Sequence, residues 1–145
     1  MTFMLDTNIL IFAMRHPDST CAGKIALHTG KDLCISVVTY AELEYGIMNS
    51  KDPEKNRIAI MRILAGIRIM DFDLPASIHF GDILAELKKK GATDACVDRD
   101  KMIAAHARSL KCILVTDNLK HFNQIDGLKI ENWREPGDLY PINNK

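Results

Sequence analysis

A short apolar run that ends abruptly in Asp-Thr-Asn places the strongest constraint on what this chain can fold into. Thr2-Phe3-Met4-Leu5 leads into Asp6-Thr7-Asn8, and apolar residues return over positions 9–14. A run of this kind, closed by a cap-forming residue, predicts a buried strand feeding a helix. Asp6 then stands at the carboxyl end of the first strand, the edge at which open α/β sheets bind ligands. The same residues have a plainer reading, in which Asp6 or Thr7 caps the helix and does nothing more. The two readings part only if further carboxylates arrive at equivalent places.

The chain continues as alternating strand-like and helix-like segments. A helix over residues 7–15 breaks at His16-Pro17-Asp18-Ser19, and Asp18 or Ser19 can cap the next helix, which runs to about Leu27. Leu33-Cys34-Ile35-Ser36 reads as a second strand. In the segment that follows, Thr39 and Glu42 have the spacing of a capping box. Glu42 therefore either closes that box or projects from a helix start just past a strand. Pro53 suits the first turn of another helix. Ile60, Ile63, Leu64 and Ile67 repeat at helical spacing there, with Gly66 as the stop. A third strand over 68–72, a helix from Asp73 to Lys90, and a further helix through residues 102–110 follow. A fourth strand over 111–115 ends in Thr116-Asp117-Asn118, an echo of Asp6-Thr7-Asn8. A last strand is expected at Leu128-Lys129-Ile130. Residues 1–134 thus read as one domain and residues 135–145 as a tail with little structure of its own. Strands alternating with helices predict an α/β sandwich around a largely parallel sheet.

Composition narrows the function classes. Nineteen basic and nineteen acidic residues leave a formal net charge of +0, so any nucleic-acid contact must come from a local patch rather than a global field. Lys88, Lys89, Lys90, Arg99, Lys101 and Arg108 are the candidates. The plainer alternative for the three lysines is a solvated helix end that complements the helix dipole. The four cysteines, Cys21, Cys34, Cys96 and Cys112, form no Cys-x-x-Cys pair, which favours buried thiols over structural zinc. The five histidines show no close ligand spacing, and His106 reads as a core or rim histidine. No apolar run is long enough to span a bilayer, and no signal peptide is recognisable at the N-terminus, so a cytoplasmic location is expected.

Four acids share one kind of position. Asp6 and Asp117 follow strands, and Glu42 and Asp100 lie near helix starts. A parallel sheet collects such positions at one edge, where carboxylates raise one another's pKa. A divalent cation relieves that repulsion, and an all-oxygen set favours magnesium or manganese over zinc. Such a site serves phosphodiester hydrolysis.

Met4-Leu5-Asp6-Thr7-Asn8, residues 36–46 with Glu42, residues 100–107 with Asp100, and Val115-Thr116-Asp117-Asn118 with Phe122 together resemble a PIN domain. More narrowly, the ordered set is similar to the VapC-type toxin ribonucleases of bacterial toxin–antitoxin pairs, and among these to the enterobacterial-like toxins associated with tRNA cleavage. The resemblance runs from Met4 to about Trp133. It implies a three-layer α/β/α fold with a central parallel sheet of four or five strands, and magnesium-dependent cleavage of RNA, tRNA being a frequent target. It also implies a homodimer held inactive by a cognate antitoxin. In the family's pattern Asp6, Glu42 and Asp100 occupy the three main acidic positions, Asp6 and Asp100 matching the metal ligands. Thr7, Asn8 and Thr116 match the residues that orient those acids. Asp117 is the candidate for the fourth acid, with Asn118 the alternative polar contact.

The chain departs from the pattern in two places. Relatives usually carry Gly-x-Pro-x-Gly before the third acid, where this chain has Gly91-Ala92-Thr93-Asp94-Ala95-Cys96-Val97-Asp98-Arg99. Counting forward from Gly91 selects Asp98 as the third acid, and counting back from Met102-Ile103-Ala104-Ala105-His106 selects Asp100. The second count is preferred, because a helix fixes its first-turn residues whereas a loop absorbs insertions; Asp98 is then expected to cap the helix. Before Phe122 the family is often acidic, and here the residue is His121. Two other function classes are compatible with the motifs: a non-catalytic partner-binding module in which the acids only cap helices, and a metal-dependent DNA nuclease on the same fold. An aspartyl-nucleophile phosphatase is disfavoured, since Asn8 stands where its second aspartate belongs.

Overall fold

The computed structural model describes residues 1–94 and 96–138. Five strands form one sheet: β1 (Phe3–Leu5), β2 (Leu33–Ser36), β3 (Arg68–Met70), β4 (Ile113–Val115) and β5 (Lys129–Glu131). Their order is β3-β2-β1-β4-β5 and every pairing is parallel. Seven helices connect and flank them among the described residues: α1 (Thr7–Arg15), α2 (Thr20–His28), α3 (Val37–Met48), α4 (Pro53–Leu64), α5 (Leu74–Lys89), α6 (Asp98–Ser109) and α7 (Leu119–Phe122).

The period of two along a strand builds the three layers. Leu5, Leu33, Ile35 and Val115 turn to one face and pack with Ile9, Leu10 and Ala13 of α1, Cys21 and Ile25 of α2, Leu43 and Ile47 of α3, and Ile60 of α4. Met4, Cys34 and Leu114 turn to the other face and meet Ile83 and Leu87 of α5, Ile103, Ala104 and Ala107 of α6, and Phe122 of α7. The three central strands are buried on both faces, which is why they read as short apolar runs without alternation. The expected α/β/α sandwich is therefore what forms.

The strand order matters for the site. β1 has β2 and then β3 on one side, and β4 and then β5 on the other. The chain reverses its direction of progress across the sheet between β1 and β4, and a crevice opens above their carboxyl ends at such a switch. Asp6 and Thr116 are the residues that directly follow these two strands.

Several local expectations are corrected. Helix α3 is capped by Ser36, whose Oγ accepts the Val38 N–H at 3.1 Å. Thr39 is thus interior to the helix and fully buried, and the Thr39–Glu42 capping box does not form. Of the two cap candidates for α2, Ser19 is the one used, as the sequence allowed. Helix α6 begins at Asp98 itself, with Val97 as its N-cap and no side-chain cap bond, so Asp98 does not cap it. The tail expected from residue 135 lies mostly outside the described residues, of which 136–138 form a short 3-10 turn. No described helix is long and apolar enough to cross a membrane.

Gly66 is required by geometry. Its φ is +85°, and a Cβ built on it would stand 2.9 Å from the Thr29 Cγ2, while its carbonyl accepts the Gly30 N–H at 2.8 Å. Gly66→Ala is expected to destabilise the protein by roughly 1–3 kcal/mol, the cost of a left-handed L-residue plus the displaced threonine; chemical denaturation of the variant beside the parent checks this.

Candidate active site

Asp6 leaves β1 and immediately serves as the N-cap of α1. Its Oδ1 accepts the Ile9 N–H at 2.9 Å, and its own N–H bonds the Val115 carbonyl at 3.0 Å. Capping and placement at the sheet edge are thus one structural fact, not competing readings. The residue is only 4% exposed. Burial pushes its carboxyl up to about 6; the Thr116 hydroxyl and the Ile9 N–H oppose the rise, and the charges of Asp117 and Asp100 add to it. Thr116 is itself oriented, because its Oγ1 accepts the Asn118 N–H at 3.0 Å and so leaves the hydroxyl proton for a carboxylate.

Asp100 stands in the first turn of α6, half-buried, and burial raises its carboxyl as well, against the pull of His121 and Arg99. His121 Nδ1 lies 3.6 Å from Asp100 Oδ2 and 2.6 Å from the Asn118 amide. One ring nitrogen serves one partner: while Nδ1 accepts from Asn118 it carries no proton for Asp100, so the short contact is the bond and the long one is proximity. Asp98, by contrast, has a side chain 83% exposed and paired with Lys101 at 3.5 Å.

Glu42 reaches the same edge from α3. Its Oε1 accepts the Thr7 hydroxyl at 2.9 Å, and Arg99 Nη1 approaches its Oε2 at 3.7 Å. Thr7 also contacts Thr39 Oγ1 at 3.3 Å, so the buried threonine that the capping-box reading misassigned backs up the Thr7–Glu42 pair. Asp117 bonds Arg134 Nη1 at 2.6 Å. Asn8 is exposed.

The six basic candidates do not form one surface. Lys101 is 6% exposed and donates to the Thr93 carbonyl at 2.7 Å. Arg108 is bound to Asp82 at 2.6 Å and to His79 at 2.9 Å, and Lys90 to the Gln124 carbonyl at 2.7 Å and Asp126 at 2.8 Å. Lys88 and Lys89 are exposed at the end of α5, and Arg99 lies at the acidic edge.

Two residues of this edge were not singled out as site residues from sequence. His121 carried a signal, three residues beyond Asn118 on what becomes α7. Arg134 carried none, since it arrives from beyond β5. His106 matches its expected place in the interior: it is fully buried, with Nδ1 2.8 Å from Ser36 Oγ.

The edge has the chemistry of a cation site without being a closed cage. Asp6, Asp100 and Asp117 are near enough to raise the Asp6 carboxyl. Among the described residues, however, no three His, Cys, Asp or Glu side chains converge as a ready ligand set. The four cysteines are buried thiols, none in a disulfide.

A parallel sheet in this order, with acids gathered over its switch point, defines a class. The PIN domain family model matches residues 3–128, and the chain belongs to the PIN-domain family. Its curated relatives narrow the place within it. The tRNA(fMet)-specific endonuclease VapC of Shigella flexneri is 41% identical over 133 residues, covering 92% of this chain and 98% of that protein. Ribonuclease VapC2 of Haemophilus influenzae is 39% identical over the same shares. A chain in the crystal structure of DNA-bound VapBC from Salmonella typhimurium superposes with a TM-score of 0.85 at 38% identity, covering 92% of this chain and 98% of that one. Another, in VapBC2 from Rickettsia felis bound to a DNA fragment from their promoter, gives 0.84 at 36% identity, covering 92% and 99%. The chain is a VapC-type PIN domain.

The raised Asp6 carboxyl has a thermodynamic consequence. Its folded pKa is above its unfolded one, so stability is highest while both are protonated and falls as pH rises from about 4 through about 6. The shift from 3.8 to about 6 corresponds to roughly 3 kcal/mol at most. Asp6→Asn keeps an acceptor for the Ile9 N–H and removes the charge. In chelator-treated protein it is expected to gain roughly 1–3 kcal/mol at pH 7.5 and nothing near pH 4, measured by urea unfolding at the two pH values.

Proposed function

We propose that this chain is a metal-dependent endoribonuclease, the toxin of a toxin–antitoxin pair, and that it cleaves tRNA. The observation that supports the reading is the buried Asp6 at the carboxyl end of β1, with Asp100 and Asp117 near enough to raise its carboxyl further and Glu42 reaching the same edge through its bond to Thr7. The relatives named for tRNA(fMet) and for ribonuclease activity support the substrate class, and the VapBC structures support a protein partner.

The residues fit a hard divalent cation, magnesium or manganese. The buried Asp6 carboxylate, made costly by burial and by its acidic neighbours, is the charge that a bound cation would stabilise. Asp6 and Asp100 would hold the ion, and an all-oxygen set suits these metals. When bound, such an ion supplies positive charge to the phosphoryl oxygens and lowers the pKa of a water ligand.

The chain's own groups do the rest. Thr116 donates to Asp6 and holds one oxygen of its carboxylate in place. Thr7 donates to one oxygen of Glu42 and leaves the other, beside Arg99, as a proton acceptor at the mouth of the site. Arg99 offers a guanidinium to an RNA phosphate, with Lys88 and Lys89 as further surface cations. Lys90, Lys101 and Arg108 keep their internal bonds and contribute to the fold. The exposed Tyr45 and Met48 of α3, 69% and 68% accessible, are apolar area for the antitoxin or for a second copy in a homodimer.

The test uses purified chain, magnesium and bulk tRNA, with a DNA oligonucleotide of matched length alongside. Asp6→Asn and Asp100→Asn are each expected to abolish tRNA cleavage, while Asp98→Asn leaves it largely intact. Wild-type activity in Asp6→Asn would sink the metal-site reading. A dead Asp98→Asn beside an active Asp100→Asn would reassign the third acid, and cleavage of DNA alone would move the chain to the other nuclease class. Harmless expression of folded wild-type chain in growing cells would count against the toxin role.

RNA affinity of the inactive Asp6→Asn chain is expected to fall with salt at a log–log slope of about −2, from three contacts on a single strand. Arg99→Ala should flatten that slope by about 0.7; filter binding across a salt series reads both.

A further inference from the structure

Arg134 enters the acidic edge from the far side of the sheet and is held there on three sides. Its backbone N–H donates to Asn132 Oδ1 at 2.9 Å, which fixes the turn after β5. Its guanidinium carbon lies 3.7 Å above the centre of the Phe12 ring, on the helix that Asp6 caps. Its Nη1 donates to Asp117 Oδ2 at 2.6 Å. The two side chains are 16% and 21% exposed, so the pair is largely out of water. Arginine stays charged under any working condition, and a stacked, desolvated guanidinium is costly to displace.

This pair changes the cation capacity of the site. Four carboxylates at one edge are enough acid for two divalent ions, yet one is already matched by a fixed cation. For Asp117 to ligate an ion, it must release a short charged hydrogen bond to a guanidinium that is largely out of water. Asp6 and Asp100 have no such fixed cation: Asp6 is bonded by neutral donors, and Asp100 faces a histidine. We propose that Arg134 is the built-in counter-ion of this site, withholding Asp117 from ligation and limiting the edge to a single divalent cation on Asp6 and Asp100. The proposal rests on the nuclease reading above and adds the metal count and the residue that sets it. Arg134 is a positioning residue in this role, acting through Asp117.

The experiment is a manganese titration of metal-free full-length protein, followed by calorimetry and by electron paramagnetic resonance of free Mn2+, with tRNA cleavage assayed on the same samples. Wild type is expected to bind one ion per chain. Arg134→Met, which keeps the stem over Phe12 and removes the charge, is expected to bind two. The double variant Asp117→Asn/Arg134→Met removes both charges together; it is expected to bind one ion with an affinity within about threefold of wild type, far from the 10–100-fold loss typical of disrupting a metal site's supporting contacts. The double variant also decides the matter if Arg134→Met alone fails to fold, because it leaves no buried unpaired carboxylate. Two ions in the wild type, one in the folded Arg134→Met, or a tenfold loss in the double variant would each overturn the proposal. A wild type that cleaves tRNA and binds two ions would overturn it alone, whereas a wild type that binds none and cleaves nothing would bring down the nuclease reading with it.

Discussion

The structure depends on a carboxylate being buried where β1 turns into α1. Asp6 caps the helix, because its Oδ1 accepts the Ile9 N–H, one of the donors that a helix start leaves without an intrahelical partner. It must also be buried, because β1 is the central strand and both faces above it are covered. An acid in that position pays for its charge in lost solvation. The neighbourhood supplies the Thr116 hydroxyl and one backbone N–H as partial relief, then places two more aspartates close by. A fold selected for stability alone would not assemble such a group. A bound cation would relieve that cost, which is how the proposed function connects the energetics of the edge to its use.

The remaining acids are balanced differently, and the differences assign roles. Glu42 has a neutral donor on one oxygen and a distant guanidinium near the other, so its charge is oriented without being neutralised. Asp100 has a histidine nearby whose facing nitrogen is bonded to Asn118 instead. Asp117 has a full arginine partner. The edge thus grades from an uncompensated acid at the centre of the sheet to a fully compensated one toward β5. That gradient is a property of the strand order, since β5 and the turn beyond it are what deliver Arg134.

Basic residues show the converse lesson. Lys101 follows Asp100 directly and looks from sequence like a phosphate contact beside the site, yet helical rotation turns it inward to the Thr93 carbonyl. Arg108, eight residues after Asp100, lies about 12 Å along the helix from it and joins α6 to α5 through Asp82 and His79. Both stabilise the α5–α6 pair that carries Asp100. Sequence proximity to a candidate site acid is therefore a poor guide to a cation's role once the two are on a helix.

From sequence alone, the alternation of strand and helix, the two Asp-Thr-Asn-like junctions and the place of Asp100 in the first turn of a helix were legible, because each rests on local periodicity or on residues that follow a strand directly. The same local reasoning misjudged Thr39. Its spacing to Glu42 suits a cap, but Ser36, the last residue of β2, reaches the Val38 N–H first, and the helix starts earlier. What only the tertiary structure decided are the contacts made across the sheet: the bond of Thr7 to Glu42, the approach of His121 to Asp100, and the bond of Arg134 to Asp117. These partners come from different strand–helix units, and which units become neighbours is set by strand order. No periodicity within a single segment encodes that order; it emerges when all five strands bury their two faces at once.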